Sequence, residues 1–223
     1  MNVIVPALTQ VALFNVSVGV LATQRHVAFD DFRVVVHTAS RVSSMVMTSF
    51  IGLTALHSVL KYPNVPLSDD ADVPDDQRRC LSIFLGYMIG DSVVMALCAA
   101  MDDPPHISNV VHHAFCVFAS LCILASRNMA VYMSFACRVM LFELSSPFLN
   151  AAWICKKTKS PREPACVAAT WVTFLVFRVI NGATVVYRMS SYALVWFYFM
   201  ICFYLLNLVW FAKLTMYAVK HVL

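Results

Sequence analysis

Two adjacent histidines, His112 and His113, sit in NVVHHAFCVFAS (109–120), a stretch that is otherwise largely apolar. Imidazole can take or give a proton near neutral pH, attack as a nucleophile, or ligate a metal. Carboxylates that could orient such a ring are Asp91, at the end of GYMIGD (86–91), and Glu143, at the start of ELSSPFLN (143–150). Arg41 in RVSS (41–44) and Asn150 add groups able to hold a polar ligand. Metal chemistry fits less well. Neighbouring helical residues point about 100° apart, whereas sharing one helix face requires a spacing of three or four. The seven histidines form neither an HxxxH nor an HxxHH box. The sequence therefore assigns no metal.

The surroundings of these residues are apolar in long blocks. Hydrophobic residues make up 61% of the 223 positions and charged residues 13%, about half the share usual in soluble domains. Seven blocks are read, at 3–22, 35–60, 81–100, 107–126, 129–153, 165–187 and 190–218. Each approaches or exceeds the ~20 residues needed to cross the hydrocarbon core. They are too long and too uniformly apolar for barrel strands. The expected fold is all-α, a polytopic membrane protein of about seven transmembrane helices. The first block lacks a basic leader and a small-residue cleavage site, so it is read as a retained span. Polar turns fall at TQRHVAFDDFR, KYPNVPLSDDADVPDDQRR, MDDPPH, SRN, KKTKSPRE and RMSS.

Lysine and arginine set the orientation. Arg25, Arg33, Lys156, Lys157, Lys159, Arg162 and Lys220 fall on one side, against Lys61, Arg78, Arg79, Arg127 and Arg188 on the other. The richer side is expected in the cytosol, which leaves the N-terminus outside or lumenal. The net charge of +4 carries no stripe of basic and aromatic residues, so no nucleic-acid partner is expected. Cys98, Cys116, Cys122, Cys137 and Cys202 lie within spans and read as small packing residues. The tract LSDDADVPDDQ lacks the glycine of a sharp calcium-binding turn and reads as a solvated acidic loop.

Ionisable groups at bilayer depth are expensive, and each is a functional candidate. Besides the residues above, His37, His57, Arg138, Arg178, Asn181 and Asn207 lie within the blocks. Asp91 lies nine residues before the end of its span and His112 five residues into the next, a depth difference of about 6 Å. His113 and Glu143 match in depth across the following turn, and Arg41 falls in the same layer. One histidine is expected to act as base or nucleophile and the other as a helix-to-helix partner. Pro147 should kink its helix, with Ser145 and Ser146 helping to satisfy the freed backbone groups.

RVSS, GYMIGD, VVHH (110–113) and ELSSPFLN, in this order and spacing, resemble the TLC-domain family, which includes ceramide synthases and translocon-associated TRAM proteins. The resemblance implies an N-terminal helix and loop (1–34) followed by a TLC-type domain (35–223) of six helices around a central polar cavity. It also implies an internal membrane such as the endoplasmic reticulum. Ceramide synthases N-acylate a sphingoid base. By that likeness His112 and His113 would be catalytic, acyl-coenzyme A would be a co-substrate rather than a resident cofactor, and Arg41, Asp91, Glu143 and Asn150 would bind substrate. Here the pair continues to Cys116 in place of the synthases' HHxxT threonine, and ELSSP stands where they carry HDxxD. ELSSPFLN is more similar to small TLC-domain proteins tied to membrane lipid composition. The expected function is therefore lipid homeostasis, by binding or remodelling a lipid acyl chain. The alternatives are an N-acyltransferase, or a non-catalytic accessory subunit of a larger membrane complex; the partners expected are a membrane lipid or acyl chain and, in assembly, a homo-oligomer or larger membrane complex.

Overall fold

The structure is a computed structural model and describes residues 3–23, 32–64, 72–100, 107–126, 129–191 and 194–221. The predicted turn at MDDPPH, most of that at TQRHVAFDDFR, and Asp69 and Asp70 of the acidic tract lie outside the described residues. Among those described there is no strand.

The helices are α1 (Ile4–Thr23), α2 (Phe32–Lys61), α3 (Asp75–Ala99), α4 (Ile107–Ala125), α5 (Met129–Met140), α6 (Ser146–Lys157), α7 (Glu163–Phe174), α8 (Asn181–Met189) and α9 (Leu194–His221). A 3₁₀ turn, Leu141–Ser145, joins α5 to α6, and a π-helical turn, Leu175–Ile180, joins α7 to α8. Among the described residues, seven helical runs are long and apolar enough to span a membrane: Ile4–Leu21, Val34–Lys61, Asp75–Ala99, Ile107–Ala125, Met129–Lys157, Glu163–Met189 and Trp196–Lys220. Large apolar side chains such as Leu8, Phe50, Leu53, Phe118, Leu121 and Leu205 are exposed. In water so much apolar surface would drive aggregation; in lipid it is the solvated face.

Two boundaries show what an apolarity reading misses. The third span begins at Asp75, not 81. Pro74 precedes it, and Asp75 and Asp76 occupy its first turn, where the helix dipole favours anions. At ELSSP, Pro147 has no N–H to give and its ring crowds the preceding turn. The chain answers by tightening into the 3₁₀ turn and restarting as α6, with Pro147 in the first turn. Ser145 Oγ donates to the Phe142 carbonyl at 2.8 Å.

The chain forms two compact units. The first comprises residues 1–47 and 64–136. There α1 packs along α3, and α3 along α4. The α1 contact depends on Gly86 and Gly90, a GxxxG pair that lets two backbones meet closely. A Cβ on Gly90 would lie 2.7 Å from the Ala7 carbonyl oxygen and 2.9 Å from Gln10 Cβ. Towards the other end of α1, Phe14 packs in a buried cluster with Val36, Ala39, Val94 and Cys98.

The second unit comprises residues 48–63 and 137–223. In it α6 and α7 form a hairpin, and α9 packs on α7 and α8. Trp171 Nε1 donates to Thr215 Oγ1 at 2.9 Å, and the Phe142 and Phe203 rings stack with centroids 5.8 Å apart.

Candidate functional site

Each unit buries one polar cluster. In the first, α3 presents Asp91 and Ser92, α4 presents His113, α1 contributes Gln10, and α2 contributes Arg41 and Ser43. His113 Nε2 lies 3.5 Å from Asp91 Oδ2, and its Nδ1 lies 3.4 Å from Ser92 Oγ. Ser92 Oγ also donates to the Met88 carbonyl at 2.7 Å, so it meets the imidazole as an acceptor. Both ring nitrogens of His113 thus face oxygens. A neutral imidazole can donate to only one of them.

The other carboxylate oxygen, Asp91 Oδ1, accepts from Gln10 Nε2 at 2.9 Å. The same amide nitrogen is 3.4 Å from Ser43 Oγ. Gln10 is fully buried, and among the described residues its Oε1 has no hydrogen-bond partner. Arg41 lies within electrostatic reach of Asp91. Ser44 Oγ and Tyr87 Oη, 2.9 Å apart, tie the RVSS stretch of α2 to the GYMIGD stretch of α3.

The two histidines diverge, as adjacent helical residues must. His113 reaches across to α3. His112 has Cys116 Sγ, one turn on in its own helix, 3.9 Å from both ring nitrogens. The two rings meet edge to face, centroids 5.6 Å apart. His113 is thus the helix-to-helix partner, and His112 keeps its ring beside a thiol one turn on.

Glu143 and Asn150 belong to the second unit, and both are buried. Glu143 Oε2 accepts from Ser146 Oγ at 2.8 Å. Ser146 Oγ in turn accepts from Arg178 Nη2 at 2.9 Å. Arg178 Nε donates to Ser145 Oγ at 2.8 Å and to the Phe142 carbonyl at 3.2 Å, and Nη1 donates to Asn207 Oδ1 at 3.2 Å. The guanidinium also lies 5.1 Å from the Phe174 ring centroid. Every nitrogen of this buried cation has a partner. The kink exposes the Phe142 carbonyl and the two serines, and the π turn carries Arg178 to them.

Of the residues picked from sequence, Asp91 and His113 meet directly, with Arg41 and His112 beside them. Gln10 and Ser92 were missed. The signal for Gln10 was a lone amide in the middle of an apolar block. Arg178 and Asn207 were noted as intramembrane polar groups, but not as partners of the serines in ELSSP. Among the described residues, no group of three or more His, Cys, Asp or Glu is placed to hold a metal ion.

Seven apolar spans with buried polar clusters define a polytopic helical membrane protein. The family model for the TLC domain matches residues 34–216, and the chain belongs to that family. No curated protein and no solved structure matches it. The match begins at α2, so α1 and Gln10 lie outside it.

Proposed function

We propose that the protein acts in membrane lipid homeostasis by holding the polar end of a lipid at the Asp91–His113 cluster. The observation that carries this reading is the carboxylate–imidazole pair of α3 and α4 at bilayer depth. Unlike the Arg178 cluster, it keeps long contacts and an unmatched acceptor. Contacts of 3.4–3.5 Å are weak, and a donor on a lipid headgroup, hydroxyl or ammonium, would find an acceptor in Gln10 Oε1. Towards the other end of the same helix pair lies a cleft of about 660 Å³, lined by Arg78, Arg79, Ser82, Ile83, Leu124 and Met129 with Asp75. It offers an amphiphile room at that end of the pair.

The test is mass spectrometry of lipids that co-purify with wild-type protein and with Asp91→Asn and His113→Ala. A bound lipid lost from both variants, at melting temperatures near wild type, is the expected result. Wild-type lipid content in both variants would sink the proposal.

A second reading, acyl transfer from acyl-coenzyme A, draws on the His112–Cys116 contact. In this reading His112 would serve as base or nucleophile, with His113 held by Asp91. Turnover of acyl-coenzyme A by purified protein, lost in His112→Ala, would favour it over simple binding. The accessory-subunit reading predicts neither lipid nor turnover.

A further inference from the structure

We propose that Cys155 and Cys166 form a dithiol site that closes to a disulfide on exposure to hydroperoxides, at the polar end of the α6–α7 hairpin. The two Sγ atoms lie 3.6 Å apart. Both cysteines are partly exposed, whereas Cys80, Cys98, Cys116 and Cys137 are buried.

The local fold explains why the pair meets. The α6 helix ends in a two-bond cap: Ser160 N–H donates to the Cys155 carbonyl at 2.8 Å, and Lys159 N–H to the Lys156 carbonyl at 3.2 Å. Lys159 adopts a left-handed φ of 50°, which reverses the chain. The α7 helix begins at Glu163, so Cys166 stands one turn inside it, opposite Cys155. The neighbours mark the level of the headgroups. Lys156 Nζ lies 4.5 Å from the centroid of the Tyr217 ring, and Lys157 Nζ 5.6 Å from that of Trp153. Tyr217 Oη donates to Glu163 Oε1. Lysines and amphipathic aromatics collect at the membrane–water interface. Small water-borne oxidants and reductants therefore reach these sulfurs, and not those of the buried cysteines.

The chemistry balances with a hydroperoxide as the oxidant. One thiol gives up its proton and, as a thiolate, attacks the O–O bond; the sulfur becomes a sulfenic acid, and the departing hydroxide or alkoxide takes up that proton and leaves as water or, from a lipid hydroperoxide, an alcohol. The second sulfur then attacks the sulfenic sulfur and expels water, leaving S–S. Two electrons pass from the sulfur pair to the peroxide. A small thiol returns them by exchange. Bond formation brings the sulfurs in by roughly 1.5 Å, to the ~2.0 Å of a disulfide. The turn between the helices is short, so side-chain rotation with a small shift of the hairpin supplies that approach. The cross-link then pins α6, which carries Asn150, to the helix that leads into Arg178.

Full-length protein in detergent is treated with hydrogen peroxide, quenched, denatured, alkylated, digested and analysed by mass spectrometry. The expected product joins the Cys155 and Cys166 peptides with the loss of two hydrogens, and dithiothreitol reverses it. Alkylation at both positions is then nearly lost, while Cys116 and Cys202 stay alkylated. Cys155→Ser should instead leave Cys166 as a sulfenic acid captured by dimedone. Cys155 and Cys166 that stay singly alkylated, over-oxidise without joining, or pair with other cysteines would overturn the proposal. The wild-type readout depends neither on the variant folding nor on any bound lipid.

Discussion

The two buried clusters use similar groups to opposite ends. Around Arg178, each guanidinium nitrogen is matched within 2.8–3.2 Å, and Glu143 is reached through Ser146. Around Asp91 the amide of Gln10 donates at 2.9 Å, but His113 lies 3.5 Å from Asp91 and 3.4 Å from Ser92, and among the described residues Gln10 Oε1 has no partner. A buried network that is fully satisfied rigidifies its surroundings, and a buried polar group left without a partner is costly, so a ligand that supplies the partner gains from it. The second unit's cluster thus reads as a lock that holds the kinked and π-distorted spans together. The first unit's cluster reads as a site.

The largest effect that would test this contrast is Arg178→Met. The substitution roughly keeps the apolar stem but removes the donors to Ser145 Oγ, Ser146 Oγ, Asn207 Oδ1 and the Phe142 carbonyl, and takes the cation out of a network that still buries Glu143. Removing one member of a buried charged network typically destabilises by about 3–5 kcal/mol. Unfolding of the purified variant in detergent should register a loss of that order. A loss below about 1 kcal/mol, the usual worth of one intramembrane hydrogen bond, would show that the network is not a lock.

Gly90→Val should come next. A side chain there meets the Ala7 carbonyl and Gln10 Cβ, so α1 must move off α3. Overpacking of this kind destabilises by about 1–3 kcal/mol. Because Gln10 moves with α1, Asp91 should lose its amide partner, and lipid retention should fall as well. Thermal unfolding and co-purified lipid together check this. A variant that melts early but keeps its lipid would separate α1 from the site.

How far the sequence reaches differs between the clusters for a physical reason. Spans are legible because burial in lipid demands long uninterrupted apolarity. Pro147 is legible because its missing N–H has one local consequence. Depth puts Asp91 near the level of His112, and His113 at that of Glu143, since antiparallel neighbours share a turn and a fixed rise per residue; which imidazole faces Asp91 depends on helix rotation, which depth does not fix. Gln10 could not be placed. Its role depends on Gly86 and Gly90 admitting α1, a contact some 80 positions away in the chain. The π turn at LVFRVI was equally hidden, for no glycine or proline marks it. The extra residue is accommodated because it aims Arg178 at groups freed by a kink in another span, a non-local gain.

The smallest and most discriminating change is Gln10→Leu. It removes two things at once: the Nε2 donor to Asp91 Oδ1 and the unmatched Oε1. Losing the donor leaves a carboxylate oxygen short of one bond, a loss of about 1 kcal/mol within a membrane. Losing the unmatched oxygen works the other way, since a buried acceptor without a partner is itself unfavourable by about 1–3 kcal/mol. The two largely cancel, so the melting temperature should stay close to wild type. The site should not be so indifferent. If Oε1 is the acceptor kept for a lipid's donor group, Gln10→Leu should lower co-purified lipid while leaving unfolding almost unchanged. That pattern is the reverse of what Arg178→Met should give. A stability loss as large as that of Arg178→Met would mean that both clusters are locks. Unchanged lipid with unchanged stability would remove Gln10 from the site and leave Asp91 and His113 to hold the ligand alone.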